Sequence, residues 1–182
     1  MPVLPDYLAP GLRVVFCGTA AGTRSAEVGH YYSGRGNEFW HYLYRAGLTP
    51  HQLRPSDDAT ITSHGIGLTD LAKNIAASAD RGLAGAYDIP SFTSKIERYA
   101  PAMVAFHGKE AAKAVSRALG HVRTVRLGEQ PWQVASSRAF VVPSASGANR
   151  NTARLEGKAS RLAWFVELRE LQDLLCGPEM PG

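Results

Sequence analysis

Apolar residues along this chain fall in short unbroken runs separated by Gly- and Pro-rich breaks, not in strict alternation. Residues 12–17, Leu-Arg-Val-Val-Phe-Cys, form the first run and predict a short buried strand bounded by Pro10-Gly11 and Gly18. The stretch from Gly18 to Gly36 predicts a Gly-rich loop. Residues 37–45 then predict a helix with Phe39, Trp40, Leu43 and Tyr44 on one side and Gly47 placed to stop it. A second short strand is expected within residues 60–71, with residues 65–71 as its exit turn. The Ala- and Gly-rich stretch 76–87 reads as a mobile connection. Phe92, Ile96 and Tyr99 have helical spacing and end before Pro101, and residues 102–107 are a continuous apolar strand. Gly108 opens a helix over 109–119. Strands are expected at 122–127 and 139–142, with 132–135 a candidate hairpin partner. The last helix runs over 157–175 with Leu162, Phe165, Val166, Leu168, Leu171 and Leu175 facing inward, and the tail from Gly177 is expected to fray.

Strands that alternate with helices and are apolar throughout belong to a mostly parallel sheet covered on both faces, so the expected fold is a three-layer α/β/α domain. Ligands in such folds bind beyond the carboxyl ends of the strands. Three segments leave those ends: 18–36, 69–74 and 143–150. A chain of 182 residues fills one such domain, with its core over about 8–175.

Composition narrows the class further. No apolar run approaches the ~18 residues of a membrane span, and no basic-then-apolar leader opens the chain, so cytoplasmic residence is expected. Cys17 and Cys176 are the two cysteines. Without a CxxC or a His/Cys cluster they support neither a zinc site nor a disulfide framework, and no metal or cofactor is expected. Cys17 closes an apolar run and reads as a small buried hydrophobe. The net charge of +4 suits a polyanionic partner without requiring one. Arg24, Arg35, Arg150 and Arg154 all lie in small-residue loops, either solvated or facing such a partner.

The first loop opens Gly18-Thr19-Ala20-Ala21-Gly22, where two glycines let backbone N–H groups approach a ligand. It lacks the spacing of a dinucleotide fingerprint or a P-loop, and a plain tight turn explains it equally well. The loop continues through His30-Tyr31-Tyr32, where an aromatic ring can stack on a nucleobase and His30 can donate to a base carbonyl. Half-buried loop anchors are the alternative. The third loop, Pro143-Ser144-Ala145-Ser146-Gly147-Ala148-Asn149-Arg150, is small and polar with one cation at its end. It can enter a groove and fill the place of an extruded base, with Arg150 on a phosphate, or it is an ordinary turn after an edge strand.

Taken together, these segments resemble one family. The run from Leu8 to Gly18, the Asn37-x-Phe39-Trp40 helix start, Arg45-Ala46-Gly47, Gln52-Leu53-x-Pro55, Gly67-x-Thr69, Gly108-Lys109 and the loop at 143–150 are similar, in order and spacing, to the mismatch-specific uracil/thymine-DNA glycosylases. The resemblance spans about residues 8–170. It implies a uracil-DNA glycosylase fold and a repair enzyme acting on double-stranded DNA that carries uracil or a mismatch; a monomer is expected. It places Gly18, Thr19, Ala20, Tyr32 and Ser144 around the flipped base, with Tyr32 as the stacking aromatic, and His30 of the same loop joins the expected pocket on its own donor chemistry. Ser146, Gly147, Ala148, Asn149 and Arg150 take the position of the wedge that enters the duplex.

One departure matters for chemistry. Ala20 stands where the family has an Asn that positions the attacking water, and Ser144 stands where it usually has another Asn. Alanine has no polar side chain to offer, so Asp70, after Gly67-Leu68-Thr69, becomes the expected catalytic carboxylate. Its alternative role is an N-cap for residues 71–74, and Asp88 is the second choice of carboxylate. The expected reaction is hydrolysis of the base–sugar bond by a monofunctional glycosylase, with G:U pairs as substrate. The rival is a DNA- or base-binding protein that kept the pocket and lost the reaction. A nucleotide-binding α/β protein without a DNA role is a third alternative.

Overall fold

The computed structural model describes residues 1–121, 124–147 and 155–178. Five strands form one sheet: β1 (Val14–Ala21), β2 (Ile66–Ala76), β3 (Met103–His107), β4 (Gly128–Val134) and β5 (Ser137–Val142). Their order is β2-β1-β3-β5-β4, with all neighbours parallel except the β4–β5 hairpin. Among the described residues five α-helices accompany them: α1 (Thr23–Val28), α2 (Phe39–Arg45), α3 (Ile89–Tyr99), α4 (Lys109–Ala118) and α5 (Arg161–Cys176).

The central strands carry fully buried runs because both faces are covered. On one face Phe16 of β1 meets Phe39 of α2 edge-on at 5.1 Å and stacks on Phe165 of α5 at 6.1 Å. On the other, Phe106 of β3 packs against Phe92 of α3 and Trp132 of β4. This is the expected three-layer α/β/α arrangement with a mostly parallel sheet.

Several boundaries differ from the sequence reading, and the differences matter for the site. β1 does not stop at Cys17 but continues through Gly18, Thr19, Ala20 and Ala21, and the loop beyond it contains α1. Arg24 therefore sits on a helix, paired with Glu27 at 3.2 Å. Residues 55–64 form a 3-10 helix opened by Pro55, not the start of a strand. The second strand begins at Ile66, so the segment expected to be its exit turn is its body. Asp70 lies in mid-strand and caps no helix at 71–74. Asp88 does cap a helix: its side chain accepts from the Ser91 amide at the start of α3.

In α2 the inward tyrosine is Tyr42, while Tyr44 is exposed. Leu175 is likewise exposed at the end of α5. The strand expected at 122–127 is not formed over its described residues 124–127. The run before β5 lies instead at 128–134, where burial alternates residue by residue as it does on an edge strand. Pro131 fits there because an edge strand has one side free of ladder hydrogen bonds. Among the described residues no helix is long and apolar enough to cross a membrane.

Candidate functional site

Parallel pairing of β1 with β2 sets Gly18 beside Asp70. Neighbours in register face the same side of a sheet, here the side of Phe16 and α2. Asp70 Oδ1 lies 2.6 Å from where a β-carbon on Gly18 would stand, so the carboxylate occupies space that only a glycine leaves open. Asp70 is 5% exposed. No described residue donates a hydrogen bond to its side chain. Burial raises its pKa to about 7, with Lys73 working against the shift and Asp6 adding to it.

Lys73, whose charge acts on Asp70, makes its direct contacts elsewhere. Its Nζ pairs with Asp6 Oδ1 at 2.9 Å and donates to the Tyr31 hydroxyl at 3.0 Å. Asp6 also pairs with Lys95 at 2.7 Å and accepts from Thr69 Oγ1 at 2.7 Å. Burial pushes the Asp6 pKa up, but these donors outweigh it and leave the group below its ordinary value.

The segment after α1 is anchored by Asp58, a carboxylate buried beneath it. Asp58 accepts from the Tyr31 amide at 2.9 Å and the Tyr7 hydroxyl at 3.2 Å, and it faces His30 Nδ1 at 3.1 Å. His30 is thus turned to Asp58 and is not among the residues that line the cavity described below. Tyr31 is core, its hydroxyl donating to the Pro5 carbonyl. Tyr32 adopts a left-handed backbone with φ 55°, uncommon for a residue with a side chain. One ring face stacks on Phe39 at 3.8 Å, and His107 packs beside it at 4.8 Å. Its hydroxyl is buried and has no hydrogen-bond partner among the described residues. Burial and the Asp70 charge push the Tyr32 pKa well above its ordinary value, so the phenol stays protonated.

The segment leaving β5 is held from two sides. His107, at the carboxyl end of β3, accepts the Ala145 amide on Nε2 at 2.9 Å, which places its ring proton on Nδ1. Burial lowers the His107 pKa to about 4, with the Arg161 charge adding to the effect. Arg161 donates to the carbonyls of Ser144 and Ser146 at 3.1 and 3.0 Å and pairs with Glu38 at 2.8 Å. Gly147 lies against Arg35 and Gly36, where a β-carbon would come within 2.7 Å of the Arg35 carbonyl. The first and third loops are thereby locked together. Ala148, Asn149 and Arg150, expected in the wedge, lie outside the described residues, as does Arg154.

These segments enclose an open cavity of about 710 Å³ at the carboxyl ends of β1, β2, β3 and β5. Gly18, Thr19, Ala20, Tyr32, Asp70, Ser144 and Ser146 all line it, as do Asn37, Asp80, His107 and Lys109. Thr19 Oγ1 donates to Asp80 Oδ1 at 2.6 Å, tying the end of β1 to the segment after β2. Sequence reasoning missed His107, Asp80 and Arg161. His107 had a signal, a polar residue closing an apolar strand at the end where ligands bind. Arg161 and Asp80 had none, because their roles depend on tertiary contacts. Among the described residues no group of three or more His, Cys, Asp or Glu side chains is placed to hold a metal ion.

Residues 5–169 match the uracil DNA glycosylase superfamily. The chain belongs to that superfamily. Its fold is also similar to a solution NMR structure from Methanosarcina acetivorans of a protein provisionally named a uracil DNA glycosylase. The two share 20% identity, with a TM-score of 0.58, over 93% of this chain and 96% of the other.

Proposed function

We propose that this protein is a monofunctional DNA glycosylase that extrudes uracil from DNA, G:U pairs included, and hydrolyses its bond to the sugar. The observation that carries this reading is Asp70, a buried carboxylate with no hydrogen-bonding partner among the described residues, which faces a cavity able to take a flipped base. The superfamily membership supplies the reaction class. Ala20 lines the same cavity and has no side-chain donor or acceptor, so water positioning falls to another group.

In this mechanism the bond between base and C1′ loosens first, leaving positive character on the sugar and negative charge on the base. Backbone amides near Thr19 and Tyr32 receive the charge on the base. Ionised Asp70 stabilises the cationic sugar and takes a proton from the water that attacks C1′. At ~4 Å and an effective dielectric of ~20, a full charge pair is worth about 4 kcal/mol, close to a thousandfold in rate. Tyr32 supports the base from one side while Phe39 backs its ring. The loop at 143–150, with Arg150 at its end, faces the duplex and fills the gap left in the stack.

Incubation with a duplex containing one G:U pair tests the reading. The expected product is free uracil and an abasic site that breaks only on later alkaline treatment. Binding without abasic sites assigns the protein to a non-catalytic role, and neither binding nor cleavage removes it from DNA.

A further inference from the structure

We infer that the Tyr32 hydroxyl is a catalytic group, sharing with Asp70 the water that attacks the sugar. The inference rests on the glycosylase reading and adds a residue to it. A stacking role for Tyr32 needs only a ring face, and the stack on Phe39 at 3.8 Å would hold a phenylalanine equally well. The hydroxyl is what the packing leaves unexplained. It is buried, protonated and without a partner among the described residues, a costly state for a polar group unless something in the working complex meets it.

Its position points to a partner. A β-carbon built on Gly18 would lie 2.6 Å from Asp70 Oδ1 and 3.9 Å from the Tyr32 hydroxyl oxygen. Both oxygens therefore lie close to the same point above Gly18, and neither bonds the other. The carboxylate is a pure acceptor and the phenol an available donor, which is the pair of partners a single water requires. Tyr32 holds this place on a left-handed backbone, φ 55°, a conformation that costs free energy for a residue with a side chain.

In the reaction the Tyr32 O–H donates to one lone pair of the water, and an Asp70 oxygen accepts one of its protons. The second lone pair faces C1′. The bond from C1′ to the base nitrogen breaks with its electron pair on the base, and the water oxygen bonds to C1′. The water's proton passes to Asp70 and is returned through solvent to the base nitrogen. The products are the free base and the abasic sugar, and Tyr32 ends the cycle protonated.

Tyr32→Phe tests this, since it removes the hydroxyl and leaves the ring. Single-turnover excision from a G:U duplex should fall about tenfold or more. Affinity for the same duplex and the melting temperature should stay close to wild type. Combined with Asp70→Asn, the second change should add little, because both act on one water. Full activity of Tyr32→Phe beside an active wild type overturns the inference and leaves the glycosylase reading intact. A defect confined to affinity, or one that adds fully to that of Asp70→Asn, also overturns it. An inactive wild type removes the glycosylase reading and the inference together.

Discussion

Asp70 Oδ1 stands 2.6 Å from the point a β-carbon on Gly18 would occupy, so the carboxylate's place depends on a missing methyl group in the neighbouring strand. The backbone at Gly18 is not in the left-handed region, and alanine is allowed there by conformation. The conflict is with the Asp70 side chain alone. Gly18→Ala should therefore fold, keep its affinity for uracil-containing duplex, and excise uracil about a hundredfold more slowly, as misplacing a reacting group by about 1 Å does. Activity within a few-fold of wild type would show that the carboxylate has freedom the packing denies it.

The pH profile of excision follows from the same burial. Asp70 must be ionised to take a proton, and desolvation places its pKa at about 7. The single-turnover rate should fall about tenfold per unit as pH drops below that value and level off above it. A profile flat between pH 5 and 8 would show that no group of this pKa limits the reaction.

Stability should move the opposite way. The folded-state pKa of Asp70 lies above its ordinary value of 3.8, so its protonated form is the one the fold favours. Its share of stability is fully present below pH ~4 and is lost as pH rises through about 7. Asparagine cannot ionise and avoids that loss. Asp70→Asn should thus be more stable than wild type at pH 8, by up to about 4 kcal/mol, and the two should converge near pH 4. Denaturant unfolding at both pH values measures this, and equal stability at pH 8 contradicts it.

His107 tests how the third loop is held. It accepts the Ala145 amide while neutral, and its pKa is lowered from 6.5 to about 4. The stability it contributes is present above pH ~6.5 and lost as pH falls through about 4. His107→Leu strands the amide and should cost ~1–3 kcal/mol at pH 7, and His107→Gln, which offers an oxygen, should recover part of it. Identical losses in both variants would show that ring packing against Tyr32 and Phe39, not the hydrogen bond, is what matters.

The layered sheet was legible because β1, β3 and β5 are apolar runs and α3 and α4 carry clear helical spacing. β2 was not, for a physical reason. It holds Gly67 and Asp70, residues with poor strand propensity, because one serves close packing and the other borders the cavity. Gly67 has Tyr7, Leu12 and Val15 within 3.0 Å of where a β-carbon would lie, so its identity reflects contacts invisible in a local window. β4 was displaced because Pro131 argues against a strand unless the edge position is known. In the site, the family resemblance pointed to Thr19, Tyr32 and Ser144, which do line the cavity. His30 is turned toward Asp58, 28 residues further on, a contact that no local window shows. The Tyr32 hydroxyl gained its meaning only from the register that sets Gly18 beside Asp70.

The central claim is that Asp70 performs the chemistry. It is tested most directly by single-turnover excision of uracil from a G:U duplex, comparing wild type with Asp70→Asn at pH 8, where the wild-type carboxylate is ionised. The change keeps the side chain's size and removes its charge. Excision is predicted to fall by about a thousandfold, the worth of one charge pair at ~4 Å. Duplex affinity should remain near wild type. An Asp70→Asn enzyme that still releases uracil within a few-fold of the wild-type rate would contradict this assignment and move the catalytic role to another residue of the cavity.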